Sequence, residues 1–163
     1  MEVCIAKTKS DLFKIEALAK TIWESHYTPI IGEEQVAYML KKYQSADAVK
    51  MQIESGYIYF IINSANEPLG YLAIKPEQDS LFLSKLYVLK RFRGKGFGKQ
   101  AIAFVEEEAL KMGLLNIRLT VNKYNRQSIK AYESIGFITT KKLLVEIGNG
   151  FVMDDYEMVK MLA

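Results

Sequence analysis

An α/β domain built on a mixed, mostly antiparallel central sheet of about seven strands with flanking helices is the fold class that this sequence predicts. Three observations predict it. The β-rich segments 57–62, 69–74 and 81–89 follow one another across short turn-forming stretches, which is the pattern of an antiparallel meander. The third segment is followed by a glycine-rich loop, an amphipathic helix and another alternating strand, an order that requires a crossover between parallel neighbours. Two last strand candidates, 143–147 and 151–161, flank Gly148-Asn149-Gly150, whose Asn-Gly pair is a hairpin signal.

Taken in order, Val3 and Ile5 alternate as a first strand, and Leu12, Ile15, Ala19 and Ile22 then recur at helical spacing, with Thr8 or Ser10 as the cap. Val36, Met39, Leu40 and Tyr43 define a second apolar stripe, and Ala46, Val49 and Ile53 a third that begins near Ser45. After the meander, Ile102, Val105, Ala109 and Met112 give the stripe of the crossover helix, with Gly113 as its left-handed cap. Ile117, Leu119 and Val121 alternate with Arg118 and Thr120 as the next strand, parallel to the one around Val88. A short helix, 126–135, starts on Asn125 as its cap and stops at Gly136. No repeat or linker divides the chain, so residues 1–163 are expected to form one domain with one substantial core.

The stretch Arg93-Gly94-Lys95-Gly96-Phe97-Gly98-Lys99 declares a chemistry. Glycines at alternate positions let a ligand oxygen approach the main chain, and the helix that follows offers unpaired N–H groups and a positive dipole end. Arg93, Lys95 and Lys99 add full charges, so the loop reads as a pyrophosphate cradle. A Walker loop is excluded because Gln100 follows Gly98-Lys99 where Ser or Thr would hold magnesium. A dinucleotide fingerprint is nominally matched by Gly96 to Ala101, but the next strand ends in Val121-Asn122 without the acidic residue for a ribose.

The Arg93-x-x-Gly96-x-Gly98 pattern resembles the acyl-CoA loop of the GNAT superfamily of N-acetyltransferases. Upstream, Leu86-Tyr87-Val88 is similar to that family's fourth strand. Downstream, Asn122, Asn125, Ser128, Ala131, Tyr132, Gly136 and Phe137 match its second cofactor motif in order, and Gly150 to Tyr156 is similar to the last strand of a bacterial branch that includes polyamine acetyltransferases. The resemblance implies the GNAT acyl-CoA N-acyltransferase fold and acetyl-CoA as cosubstrate. It implies a pantetheine arm entering where two parallel strands splay, against the backbone of Leu86, Tyr87 and Val88. The cofactor-binding residues it implies are these three with Arg93, Gly94, Lys95, Gly96, Phe97, Gly98, Lys99, Asn122, Asn125 and Ser128. Tyr132 is implied as the general acid beside the sulfur; without the family, a packed helix aromatic is the plainer reading.

Acetylating an amine also requires an oxyanion site, assigned here to backbone N–H groups near Tyr87 and Val88, and a proton acceptor. Many relatives carry a glutamate on the fourth strand, where this chain has Phe82, Ser84 and Lys85; Glu33, Glu34, Asp154, Asp155 and Glu157 remain as recipients through water, with nothing to select among them. Asp155 and Glu157 share one face of a strand, which suits a cationic acceptor such as a polyamine, although charges on a terminal strand are usually just solvated. His26 reads as a helix-end or loop residue, with a base carried on a lid as the rarer alternative. Tyr27, Tyr38 and Tyr43 read either as the mouth of the site or as core. The expected partner is a small-molecule primary amine; a protein or peptide amine, or a non-catalytic acyl-CoA-binding module, are the alternatives.

The net charge of +3 is modest, but Lys85, Lys90, Arg91, Arg93, Lys95 and Lys99 concentrate charge near the loop. They surround glycines rather than line a helix face with stacking aromatics, so no nucleic-acid partner is expected. The longest apolar runs fall short of a membrane span, and neither a signal peptide nor a membrane partner is expected. The one cysteine, Cys4, reads as a small buried thiol and cannot form an internal disulfide, which suits a cytoplasmic protein. With one histidine and one cysteine, no metal site is expected. A homodimer joined through the 151–161 segment is the assembly that the resemblance allows.

Overall fold

In the computed structural model, which describes residues 1–162, strand β1 (Glu2–Ile5) leads into helix α1 (Lys9–His26). Thr8 starts that helix: its hydroxyl accepts the Asp11 N–H at 3.1 Å while the Asp11 carboxylate accepts the Thr8 N–H at 3.0 Å, a reciprocal capping box. A single turn, α2 (Thr28–Ile31), precedes α3 (Glu33–Tyr43), and Ser45 caps α4 (Ala46–Glu54) by accepting the Ala48 N–H. Helix α2 leaves no trace in the sequence, because its four residues carry no period and start on Thr28-Pro29.

The meander follows as β2 (Ile58–Ser64), β3 (Glu67–Pro76) and β4 (Leu81–Val88), paired antiparallel. Its first turn is tighter than the sequence suggests, since Ala65 and Asn66 both take positive φ in a two-residue connection and the strands run to Ser64 and Glu67. After the loop come α5 (Phe97–Lys111), β5 (Asn116–Asn122), α6 (Arg126–Ser134), β6 (Ile138–Gly148) and β7 (Phe151–Met161). Met112 is exposed just past α5, so the buried stripe of that helix is Ala101, Ile102, Val105 and Ala109.

These strands form a seven-stranded sheet in the order β1-β2-β3-β4-β5-β7-β6, antiparallel except for the β4/β5 pair. Two apolar clusters cover its faces. Leu72, Ile74, Leu83, Leu119 and Phe137 pack with α5 on one side, and Trp23, Val36, Tyr59, Tyr71 and Ala73 pack with α1, α3 and α4 on the other.

Three expectations change here. The last strand in the sequence is interior in the sheet, hydrogen-bonded to β5 and β6, so Asp155 and Glu157 are buried instead of solvated and 151–161 is not a free edge of this sheet. The free edge on that side is β6, which begins at Ile138 rather than Leu143; its polar Thr139 to Lys142 run reads as a loop because an edge strand exposes most of its side chains. Cys4 is half-buried, not buried, because β1 forms the opposite edge. No helix among the described residues is long and apolar enough to cross a membrane.

Candidate active site

The parallel pair β4/β5 is joined only from Leu81 to Leu83 against Ile117 to Leu119. Beyond that point the two strands part, leaving the β5-facing edge of Ser84 to Val88 without a strand partner. A register shift opposite Ala73 and Ile74 makes Ser84 the extra residue of a bulge, which turns the strand as it leaves β5. Gly70 holds the other edge of β4 close: a Cβ there would lie 2.2 Å from the Tyr87 carbonyl oxygen.

On the α5 side, the gap opens into a cavity of about 410 Å³ that runs from the strands to the glycine loop. Gly96 caps α5 with φ at 85°, no side chain caps the helix, and its first internal bond is from the Gln100 N–H to the Gly96 carbonyl. The N–H groups of Phe97, Gly98 and Lys99 are therefore left free at the positive dipole end. Gly94 and Gly96 need to be glycine for their left-handed φ; Gly98 has an ordinary φ, and no protein atom lies within 4 Å of where its Cβ would be. Only the cavity itself would feel that Cβ, so the cradle fits a diphosphate that approaches the main chain closely.

Of the residues expected to bind the cofactor, Leu86, Tyr87, Val88, Arg93, Gly94, Gly96, Phe97, Gly98, Lys99, Asn125 and Ser128 line this cavity, and so does Tyr132. Arg93 is anchored by donation from Nε to the Val88 carbonyl at 3.0 Å. Asn125 is buried and accepts the Ser128 N–H at 3.4 Å, which fixes the start of α6. Two expected residues lie elsewhere. Lys95 sits outside, with its ammonium 5.7 Å from the centre of the Phe92 ring, and Asn122 faces the opposite side of the sheet, where its Oδ1 accepts the Tyr124 N–H.

Tyr132 packs edge-on against Phe137, 5.5 Å between ring centres, and burial pushes its hydroxyl well above the ordinary tyrosine value. It stays protonated at neutral pH, so it carries a proton and cannot act as a base. His26, at the end of α1 as expected, also lines the cavity, which its sequence position does not reveal; burial, then the Arg93 charge, lower its pKa against a hydrogen bond with Asn125 that raises it, so it is held neutral.

A second cavity of about 410 Å³ lies on the α1/α3 side. Tyr27, Ser84, Tyr87, Thr120 and Val121 line both cavities, so the two meet through the gap between β4 and β5. At that junction the Tyr27 and Tyr87 hydroxyls are 3.0 Å apart, and burial pushes the Tyr27 hydroxyl up to about 12. Tyr43 lines the second cavity, whereas Tyr38 packs on Phe151 and donates to the Ile147 carbonyl.

The charged residues of this second cavity are the ones that sequence reasoning could not place. Asp155 is 6% exposed, and its Oδ1 is buried without a hydrogen-bond partner. Burial, and secondarily Asp154, raise its carboxyl to about 6. Its neighbours are committed elsewhere: Asp154 pairs with Lys123, and Glu157 with Arg118, Lys141 and Thr140. Lys85, assigned by sequence to the basic patch, turns into this cavity instead, with its Nζ donating to Ser84 Oγ at 2.8 Å and no acid beside it; burial lowers it to about 8. Among the described residues no group of three His, Cys, Asp or Glu side chains is gathered as for a metal ion.

Comparison with known proteins agrees with this geometry. The chain is 31% identical over 88 residues to the uncharacterized N-acetyltransferase YjgM of Escherichia coli, a match that spans about half of each protein, 52% and 53%. It is 24% identical over 149 residues to a spermidine N(1)-acetyltransferase of Thermoplasma acidophilum, covering 88% of this chain and 90% of that one. A crystal structure of the PaiA N-acetyltransferase from the same organism, in complex with coenzyme A, shares the fold with a TM-score of 0.79 at 22% identity and 99% coverage of both chains. The model of the acetyltransferase (GNAT) family matches residues 15–137, which run from within α1 through the meander and the glycine loop to just past α6, and the chain belongs to that family.

Proposed function

We propose that the protein transfers the acetyl group of acetyl-CoA directly to a primary amine of a small molecule, with the two substrates approaching from opposite faces of the sheet. The observation that carries this reading is the meeting of the two cavities at the β4/β5 gap. The glycine loop and the N–H groups of Phe97 to Lys99 would hold the diphosphate, and the unpaired edge of Ser84 to Val88 would hold the pantetheine arm. When bound, acetyl-CoA supplies a thioester activated toward nucleophiles.

The residues of the chain account for the rest of the reaction. Backbone N–H groups near Tyr87 and Val88 stabilise the oxyanion as the amine nitrogen bonds to the carbonyl carbon, an effect that in comparable sites is worth about 3 kcal/mol. Asp155, ionised above about pH 6 and without a partner, attracts the acceptor ammonium and takes one proton from it, directly or through water, so that a neutral amine attacks the carbonyl carbon. Tyr132 donates its proton to the departing thiolate as the C–S bond breaks and regains one from the second proton that the nitrogen loses. The spermidine-acetylating relative supports a cationic amine as acceptor, and the buried carboxylate supports it independently.

Incubation of the purified protein with acetyl-CoA and an amine panel, following free thiol, tests the reading. Amine-dependent thiol release is expected. Coenzyme A binding without any amine-dependent release would instead leave a non-catalytic acyl-CoA-binding module.

A further inference from the structure

The second cavity holds two unlike charges that do not neutralise each other. Lys85 lies on β4 and Asp155 on β7, with β5 between them and past the point where β4 leaves β5, so the strands that carry them are at least two strand spacings, about 10 Å, apart. No ion pair among the described residues includes either one. The contacts of Lys85 Nζ are both to Ser84, the hydroxyl and the carbonyl, which are neutral. Asp155 keeps a buried oxygen with no donor. Trp23 lines the same cavity, and its indole N–H is buried without an acceptor. A buried charge or donor left unpaired in a native site costs stability unless a ligand completes it.

Both groups are charged at neutral pH, since burial brings Lys85 down only to about 8 and Asp155 up only to about 6. A simple polyamine satisfies Asp155 but brings a second ammonium toward Lys85. Resting on the acetyl-transfer reading above, we infer that the acceptor carries an acidic group as well as its amine: Asp155 receives the ammonium, and Lys85, with the Trp23 N–H, receives a carboxylate or an equivalent anion. The substrate class is then an amino-acid-like ampholyte. The apolar wall of Met39, Tyr57 and Phe82 suits the carbon skeleton that joins the two charged ends.

Matched pairs that differ only in the carboxylate isolate this claim: lysine with cadaverine, ornithine with putrescine, and phenylalanine with phenethylamine, with spermidine as the polyamine. Each is supplied to the full chain with acetyl-CoA, and kcat/KM is read from thiol release. In the best pair the acid-bearing member is expected to exceed its partner at least tenfold, and in Lys85→Met that ratio is expected to fall at least tenfold. Wild-type turnover that is equal or faster with the decarboxylated member of every pair, or fastest with spermidine, overturns the inference and leaves acetyl transfer standing. An unchanged ratio in Lys85→Met overturns it as well. Thiol release with none of the seven amines, from protein that binds coenzyme A, overturns the acetyl-transfer reading itself. The wild-type comparison decides the matter even where the variant does not fold.

Discussion

Replacing Asp155 by asparagine is expected to make the protein more stable and nearly inactive. The carboxyl is raised from 3.8 to about 6, chiefly by burial, and about two pKa units correspond to about 3 kcal/mol. Below about pH 3.8 the group is protonated in both folded and unfolded chains and carries no penalty. Between 3.8 and 6 the native state binds the extra proton, so stability falls as pH rises, and above about 6 the whole penalty is present. Asparagine preserves size and a polar oxygen while removing the charge. Urea unfolding at about pH 4 and pH 7.5 measures the effect: the advantage of Asp155→Asn over wild type should grow by up to about 3 kcal/mol between the two. Turnover should drop at least about a hundredfold, and the wild-type decline in kcat/KM below about pH 6 should vanish from the residual activity. A stability difference that does not change with pH, or wild-type turnover in the variant, refutes the role of Asp155.

Other outcomes follow from the same geometry. Tyr132→Phe keeps the packing on Phe137 but removes the proton donor, so kcat should fall about a hundredfold or more with coenzyme A affinity nearly unchanged; equal kcat removes Tyr132 from the mechanism. Gly98→Asp introduces no left-handed strain and meets no protein atom, so thermal stability should change little while coenzyme A affinity falls at least about tenfold, or about 1.4 kcal/mol, in calorimetry. Unaltered affinity there contradicts the placement of the diphosphate. Gly70→Ala drives a Cβ into the Tyr87 carbonyl and should destabilise the fold by about 2 kcal/mol or more, with wild-type denaturation as the contrary result.

The parts of this site that are legible in the sequence are those enforced by backbone geometry. Gly96 must be glycine at its positive φ, Asn125 must present a side-chain oxygen to a helix start, and Asn149-Gly150 must turn a hairpin; each constraint is local and leaves a residue-type trace. The alternation of β5 and the apolar stripe of α5 are legible for the same reason, because the period records which face is covered. What escapes is what the sheet order decides. Asp155 looks like one of several acids on a final strand, and only the insertion of β7 between β5 and β6 buries it. Lys85 looks like one more cation beside the glycine loop until the bulge at Ser84 turns it across the sheet, and Asn122 faces away from the cofactor cavity by the same alternation that made β5 recognisable. His26 carries no spacing signal, because its place at the cavity depends on the packing of α1 against β3 and β4, which are distant in the sequence.

The most direct test is a crystal structure of the protein with coenzyme A. Diphosphate oxygens are expected within about 3 Å of backbone N–H groups in the Gly94 to Lys99 stretch, the pantetheine arm along Ser84 to Val88, and the sulfur within reach of the Tyr132 hydroxyl at the junction of the two cavities. A diphosphate bound away from that loop, or a sulfur that does not reach the gap between β4 and β5, would contradict this placement.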